Sequence, residues 1–315
     1  MKLSIVIPLL NEEESLTELH DWIAGVMQSN HFLYELIFID DGSTDNSWKV
    51  IETLAAKNTM VKGIRFRKNF GKSQALHAGF KKAEGDVIIT MDADLQDNPE
   101  EIPRMIALME EKELDLIAGW KKKRYDSVIM KNIPSKIFNW AARKTSGVKL
   151  HDFNCGLKAF RREVIKTIEV RGEMHRYIPV LAKNAGFMKI GEKVVQHQAR
   201  KYGKTKFGAD RFIKGLLDLI TIWFVSKFAK RPMHLFGALG FLMFLIGTGF
   251  ALFLGIDKLF FHPQGRLITD RPEFFIALTA MIIGTQLFLA GFLGELVVRS
   301  RKGKPRYFIA EDLNL

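Results

Sequence analysis

Two stretches of this chain, Met233–Ile256 and residues 274–294, contain no Lys, Arg, Asp or Glu. Each exceeds the roughly 18 apolar residues that allow a helix to cross a bilayer. A water-soluble core seldom needs two such helices back to back, so the last third is expected to form a membrane hairpin. The whole chain is 47% apolar, an ordinary share. The excess in the hairpin therefore leaves the first two-thirds as a mixed, charged, water-facing unit. A chain of 315 residues has room for one moderately large domain and such an appendage.

Charge gives the hairpin a direction. The linker between the apolar runs carries Lys258, Arg266 and Arg271. The outer flanks carry Lys227, Lys230 and Arg231 on one side and Arg299, Arg301, Lys302, Lys304 and Arg306 on the other. Basic residues accumulate on cytoplasmic loops, so both flanks, and the domain ahead of them, are expected in the cytoplasm, with the chain multi-pass in the cytoplasmic (inner) membrane. Residues 3–10 are apolar but interrupted by Pro8 and followed by Asn11, Glu12, Glu13 and Glu14, which fits a first buried strand better than a secretion signal. Residues 211–230 place Phe212, Leu216, Leu219, Ile220, Trp223 and Phe224 at helical spacing with lysines at the edges, the pattern of a helix lying on a membrane surface. The expected divisions are 1–206, a catalytic domain; 207–231, an interfacial helix region; 232–298, the hairpin; and 299–315, a basic cytoplasmic tail. Gly237, Gly240, Gly247, Ala290 and Gly291 permit close packing with neighbouring helices, those of a homo-oligomer included.

The net charge of +12 points to an anionic partner: lipid headgroups, a phosphorylated substrate or nucleic acid. No nucleic-acid-binding motif is present, and membrane spans make that partner unexpected. Cys155 is the only cysteine, which excludes an intrachain disulfide.

Through the first half, short β-rich runs alternate with helical patterns, the signature of an α/β fold whose mostly parallel sheet is covered on both faces. Strands are expected at 3–7, 35–40, 61–66, 87–91, 114–118 and 156–160, with helices at 13–28, 47–57, 72–83 and 99–111. In such sheets polar residues in the loops after the strands converge on one crevice. Those loops hold the chemistry. Asp92-Ala93-Asp94 follows a strand and precedes Gln96, and two carboxylates so spaced can hold a hard divalent cation against a diphosphate, although acidic pairs at strand ends also cap helices. The first strand ends in Pro8-Leu9-Leu10-Asn11-Glu12 and the second in Asp40-Asp41-Gly42-Ser43-Thr44-Asp45. Carboxylates there can accept hydrogen bonds from a nucleobase and ribose hydroxyls. A third loop, Asn69-Phe70-Gly71-Lys72-Ser73, lacks the upstream glycine of a nucleotide-binding P-loop, where Phe66 stands instead.

Together these segments resemble the family 2 glycosyltransferases of GT-A fold, and within them the polyprenyl-phosphate hexosyltransferases. The resemblance spans roughly residues 2–206, and the paired membrane helices match the bacterial members. It implies inverting transfer of a sugar, glucose first, with N-acetylhexosamine, galactose, mannose or an aminopentose behind it, from a nucleotide-sugar such as UDP-glucose to polyisoprenyl (undecaprenyl) phosphate at the cytoplasmic membrane face. It implies that Pro8, Asn11, Glu12, Asp40 and Asp41, with Gly71, Lys72, Asp92 and Lys206, hold the donor, and that Asp92, Asp94 and Gln96 hold Mg²⁺ or Mn²⁺. Arg200, in the basic run 200–206, would stabilise the departing diphosphate. Lys121, Lys131 and Ser135 would contact the acceptor phosphate, and Asp152 would orient the acceptor or touch the metal. A phosphate monoester is already ionised near neutral pH, with a second pKa of about 6, so it needs no strong base. Two other readings are a processive polysaccharide synthase, which lacks support because no Gln-x-x-Arg-Trp motif occurs, and a non-catalytic membrane scaffold, against which the Asp92/Asp94 pair stands.

Overall fold

The computed structural model describes residues 1–122, 139–140, 142–144, 146–170, 174–199, 201–202, 228, 232–300 and 309–314. It divides into two compact units. The larger begins with β1 (Lys2–Leu9), α1 (Leu16–Ser29), β2 (Leu33–Asp40), α2 (Ser47–Lys57), β3 (Val61–Phe66), α3 (Lys72–Lys82) and β4 (Val87–Thr90). A short 3₁₀ turn at Pro99–Glu101 leads into α4 (Ile102–Glu111), then β5 (Leu116–Trp120), β6 (Lys158–Arg161), α5 (Arg162–Thr167), α6 (Ile178–Asn184) and β7 (Ile190–Val194). The smaller unit is a pair of helices, α7 (Met233–Ile256) and α8 (Pro272–Ser300). The chain then returns to the first unit as β8 (Ile309–Leu313).

The eight strands form one sheet in the order β7-β5-β6-β4-β1-β2-β3-β8. The pairs β1–β2, β1–β4, β2–β3 and β5–β7 are parallel, whereas β6 runs antiparallel to both β4 and β5, and β8 antiparallel to β3. Central strands covered on both faces must be apolar throughout, and all but the first residue of β1 is buried. Alternation divides its side chains: Leu3, Ile5 and Ile7 join the core beneath α1, α2 and α4, whereas Val6 joins the core beneath α3 and α6. Each helix supplies a matching stripe. In α1, Leu16, Leu19, Ile23, Val26 and Met27 are buried at helical spacing, each contributing roughly 1.5–3 kcal/mol through removal from water. Asn98 fixes the entry to the 3₁₀ turn and α4 by accepting the Glu100 N–H at 2.8 Å.

Two strands were not expected. β7 presents four partly buried residues and an exposed Val194, and carries no strong apolar alternation. β8 lies within the segment 299–315 expected to be a basic tail, where its sequence Ile-Ala-Glu-Asp-Leu offers little apolar character of its own. It is held by backbone pairing with β3, by Leu313 packed against the core, and by Glu311, which accepts the Trp48 Nε1–H.

Both helices of the smaller unit are long and apolar enough to cross a membrane. Glycine lets them approach closely: a Cβ on Gly240 would lie 2.5 Å from the Gly284 carbonyl oxygen, and one on Gly247 2.6 Å from that of Ala277. These glycines therefore pack within the hairpin itself. Outward-facing Phe241, Leu245, Leu252, Phe275, Ile282, Leu289 and Leu293 are exposed on the described chain. The amphipathic segment 211–230 lies outside the described residues apart from Phe228.

Candidate active site

The strands β4, β1 and β2 are neighbours and parallel, so their carboxyl ends, and the loops that follow, emerge side by side. Backbone bonds carry the register past the strand ends: Asp41 donates to the Leu9 carbonyl at 2.9 Å and Met91 to that of Val6 at 3.3 Å. The result is a cleft of ≈ 320 Å³ lined by Pro8, Leu9, Leu10, Glu12, Asp41, Asn69, Gly71, Lys72, Asp92, Ala93 and Asp94. Seven residues expected from the sequence thus meet in one place: Pro8, Glu12, Asp41, Gly71, Lys72, Asp92 and Asp94.

The walls of this cleft are stitched loop to loop. Asn11 adopts a left-handed backbone, φ 54°, which asparagine tolerates better than most residues. It donates its N–H to Ser43 Oγ at 2.9 Å and accepts the Thr44 N–H on Oδ1 at 2.8 Å. The Glu12 N–H reaches Ser47 Oγ at 3.0 Å, and Glu13 accepts the Asn46 N–H at 2.8 Å. Asp40 is fully buried and accepts the Ser43 N–H at 2.7 Å. Asn11 and Asp40, both expected to touch the nucleoside, are thus engaged in shaping the loop that carries Asp41. Gly42 makes the turn: its φ is +77°, and a Cβ there would lie 2.5 Å from the Lys68 carbonyl carbon.

Asp41 holds the third loop in place by accepting the N–H groups of Phe70 and Gly71 at 2.7 and 2.9 Å. Burial raises its pKa to about 6, the two backbone donors opposing this and the Asp40 charge adding to it. The carboxyl can therefore exchange a proton close to physiological pH.

Asp92 sits at the floor and bonds Lys72 Nζ. Burial alone would raise its pKa, but Lys72, Lys121 and Lys158 outweigh it and hold the carboxyl well below the usual range. Asp92 is thus an anion at any working pH. Asp94 accepts the Gln96 N–H on Oδ1 at 3.3 Å, and Leu95 between them has φ 59°, an unusual conformation for a large apolar residue. Gln96 accordingly supports Asp94 through its backbone. Among the described residues no group of three His, Cys, Asp or Glu side chains converges to hold a metal unaided. The Asp92/Asp94 pair nevertheless fits a hard divalent ion that draws its remaining oxygens from a diphosphate and water, as Mg²⁺ ordinarily does.

Lys121, expected at the acceptor phosphate, is largely buried and pairs with Asp97 Oδ1 at 2.7 Å. Burial would lower its pKa, but Asp97 chiefly, with Asp92, holds it firmly charged. Asp97 also accepts the Asp92 N–H at 3.3 Å. Asp152 is buried and accepts the Asn154 N–H at 3.0 Å, turning the loop 152–156 toward Asp92. There Gly156 approaches so closely that a Cβ would lie 2.6 Å from Asp92 Cγ. Behind Asp92 a smaller cavity is bounded by Lys72, Asp92, Asn154, Lys158, His175 and Arg176, among others. His175 exchanges hydrogen bonds with Ser73, its N–H donating to Ser73 Oγ at 3.0 Å, and burial first, then Lys72, depresses its pKa. Asn69, Asp97, Lys158, His175 and Arg176 were not picked out from the sequence. Only Asn69, inside the Asn-Phe-Gly-Lys loop, carried a local signal. Lys131, Ser135, Arg200 and Lys206 lie outside the described residues. The described chain does bring Gln198 to the acidic loop, where its N–H donates to the Gln96 carbonyl at 3.0 Å.

The sequence profile of glycosyl transferase family 2 matches residues 4–169, which contain every one of these strand-end loops. The chain belongs to glycosyl transferase family 2. Family 2 relatives match it along nearly its whole length. The dodecaprenyl-phosphate galacturonate synthase of Rhizobium johnstonii is 36% identical, covering 99% of this chain and 93% of the relative. The undecaprenyl-phosphate 4-deoxy-4-formamido-L-arabinose transferase of Shewanella sediminis is also 36% identical, covering 98% and 92%. Among solved structures, glucosyl-3-phosphoglycerate synthase from Mycobacterium tuberculosis in complex with uridine diphosphate is similar with a TM-score of 0.55 at 21% identity, over 71% of this chain and 79% of that one. Its complex with Mn²⁺ and uridine-diphosphate-glucose gives the same score and identity, over 71% and 78%. The GT-A type of fold expected from the motifs is therefore the fold of this glycosyltransferase.

Proposed function

We propose that this glycosyltransferase moves a sugar from a nucleoside diphosphate to the phosphate of a polyisoprenyl lipid at the cytoplasmic face of a membrane. The observation that carries the proposal is the cleft, in which Asp92 and Asp94 face Glu12, Asp41 and Lys72 in the loops after four parallel strands, in a chain that also bears two bilayer-length helices. The relatives named for dodecaprenyl- and undecaprenyl-phosphate transfer support the acceptor class. The donor reading is a UDP-linked pyranose. Glucose is the sugar first expected from the sequence; the relatives' names carry 4-deoxy-4-formamido-L-arabinose, which falls in the aminopentose class expected behind it, and galacturonate, which joins the candidates.

The chemistry is a single displacement. A lipid phosphate oxygen attacks the anomeric carbon, the bond from that carbon to the diphosphate oxygen breaks, and the configuration inverts. Asp92 and Asp94 would hold Mg²⁺ or Mn²⁺, which when bound neutralises the leaving diphosphate. Asp41 and Glu12 offer acceptors to the nucleoside, and Asp41 in turn locks the 69–71 loop over it. Lys72 neutralises Asp92 and lies where a diphosphate can be met. Arg200 follows Gln198, which is anchored to Gln96, and in this reading it supplies further positive charge to the leaving group. Asp152 orients the 152–156 loop behind the reacting centre. No general base is required, because the acceptor phosphate arrives ionised.

Connectivity supports the orientation. The chain leaves the catalytic sheet before α7 and rejoins it as β8 after α8, so the hairpin crosses an even number of times. The basic flanks favour the cytoplasm for that side. The test is a reaction of the purified full chain in detergent with undecaprenyl phosphate, Mg²⁺ or Mn²⁺, and UDP-glucose, UDP-galacturonate or UDP-4-deoxy-4-formamido-L-arabinose. Radiolabelled lipid-linked sugar should form with one donor and only when both lipid phosphate and metal are present. Release of UDP at the same rate without the lipid would defeat the proposal.

A further inference from the structure

Across β2, β3 and β8, oppositely charged side chains stand in register. Asp40 pairs with Arg65, and Arg65 with Glu311. In-register residues on adjacent strands project from the same face, so the three form a lateral row. At one end Asp40 is fully buried, its Oδ1 taken by the Ser43 N–H, its Oδ2 without a hydrogen-bond partner among the described residues. A buried carboxylate is costly unless a cation compensates it. Arg65 Nε, 3.8 Å from that Oδ2, is the nearest basic group in register.

Arg65 needs a reason to stay there. Its side chain is 35% exposed, and a long cation so placed is free to swing into water. Glu311 supplies the restraint: its Oε1 lies 3.6 Å from Arg65 Nη1, while its Oε2 accepts the Trp48 Nε1–H at 2.8 Å. The Arg65 guanidinium also lies 5.8 Å from the Trp48 ring centroid. One carboxylate therefore fixes both the cation and the aromatic face beside it. The row ends at the turn that delivers Asp41 to the cleft and that binds the Asn11 loop through Ser43 and Thr44.

We propose that Glu311 is a positioning residue for the donor site: β8, the segment after the membrane hairpin, holds Arg65 on Asp40 and so sets the loop that carries Asp41. The donor part of this inference rests on the reading of the cleft given above, whereas its effect on the loop does not. It makes donor binding dependent on the return of the chain from the hairpin to the sheet.

The test uses the full chain in detergent. Glu311→Gln keeps the shape and an oxygen that can accept from Trp48, but replaces the negative charge facing Arg65 with a neutral amide. Without ligand, amide hydrogen exchange across residues 42–47 should accelerate roughly threefold, and UDP should bind roughly three- to tenfold more weakly, with the melting temperature little changed. In an Arg65→Gln background the second substitution should add nothing. Asn314→Ala, which removes hydrogen bonds to the Ala55 and Val61 carbonyls but leaves the row intact, should alter neither readout. Unchanged loop exchange in Glu311→Gln, or an equal change in Asn314→Ala, would overturn the inference. Faster exchange with undiminished UDP affinity would uphold the row and count instead against the donor reading of the cleft.

Discussion

Gly156→Ala should disable this enzyme by displacing the Asp92 carboxylate, against which Gly156 is closely packed in the native chain. A Cβ at this position would lie 2.6 Å from Asp92 Cγ and 2.7 Å from both its oxygens. Ordinary contact begins at 3.4 Å, so something must yield by about 0.8 Å. The backbone of Gly156 is restrained, because its carbonyl accepts the Thr90 hydroxyl at 2.7 Å beside the β4–β6 pairing. The short Asp92 side chain can yield more readily than that backbone, at the expense of its bond to Lys72, and it moves. A misplacement near 1 Å in a positioned group costs on the order of 100-fold in rate. The expected fall in kcat/KM is therefore about 10- to 100-fold, read from lipid-linked sugar formation, with the melting temperature within a few degrees of the native value. Gly25→Ala serves as control. It lies in α1 with nothing within 4 Å of a new Cβ, and it should raise stability by roughly 0.5–1 kcal/mol without changing turnover. Full activity in Gly156→Ala would refute the reasoning, since it would mean that the position of Asp92 does not matter.

Asp41 gives a pH prediction. Its folded pKa of about 6 stands above its ordinary value of 3.8, so between these values the folded state binds more protons than the unfolded one. Stability should therefore fall as pH rises through this window, by at most about 3 kcal/mol in all and by less where solvent screens the carboxyl. Thermal melts of the ligand-free protein from pH 4 to pH 8 should show the decline, and Asp41→Asn should flatten it. In the hairpin, Gly240→Leu forces a side chain against the Gly284 carbonyl and should cost about 1–3 kcal/mol of thermal stability in detergent. Leu245→Ala, on an exposed face of the same helix, should cost far less.

Much of this arrangement can be read from residue order. The buried runs of β1 through β5 and the helices between them are amphipathic or apolar at the right period, and the acidic loops follow strands whose ends lie together once the sheet order is known. Three things resisted reading. β8 has two acids in five residues, so local preference marks it as tail, and it is the edge of β3, with Trp48 and the core that receives Leu313, that makes it a strand. Asp40 and Lys121 are both buried on partners within the chain, Asp40 accepting the Ser43 N–H and Lys121 pairing with Asp97, and nothing in the residues beside Lys121 marks Asp97 as its partner. Lys158, His175 and Arg176 come from β6 and the turn before α6, and nothing in their local sequence shows that antiparallel pairing with β4 brings them behind Asp92.

The central claim is that Asp92 and Asp94 together hold a divalent ion against a nucleoside diphosphate. It is tested most directly by titrating Mn²⁺ into the full chain with and without UDP and following the free ion by electron paramagnetic resonance. One tight Mn²⁺ per chain is predicted with UDP present, much weaker binding without it, and loss of the tight site in Asp94→Ala. Equally tight Mn²⁺ binding in that variant, or binding indifferent to UDP, would contradict the account.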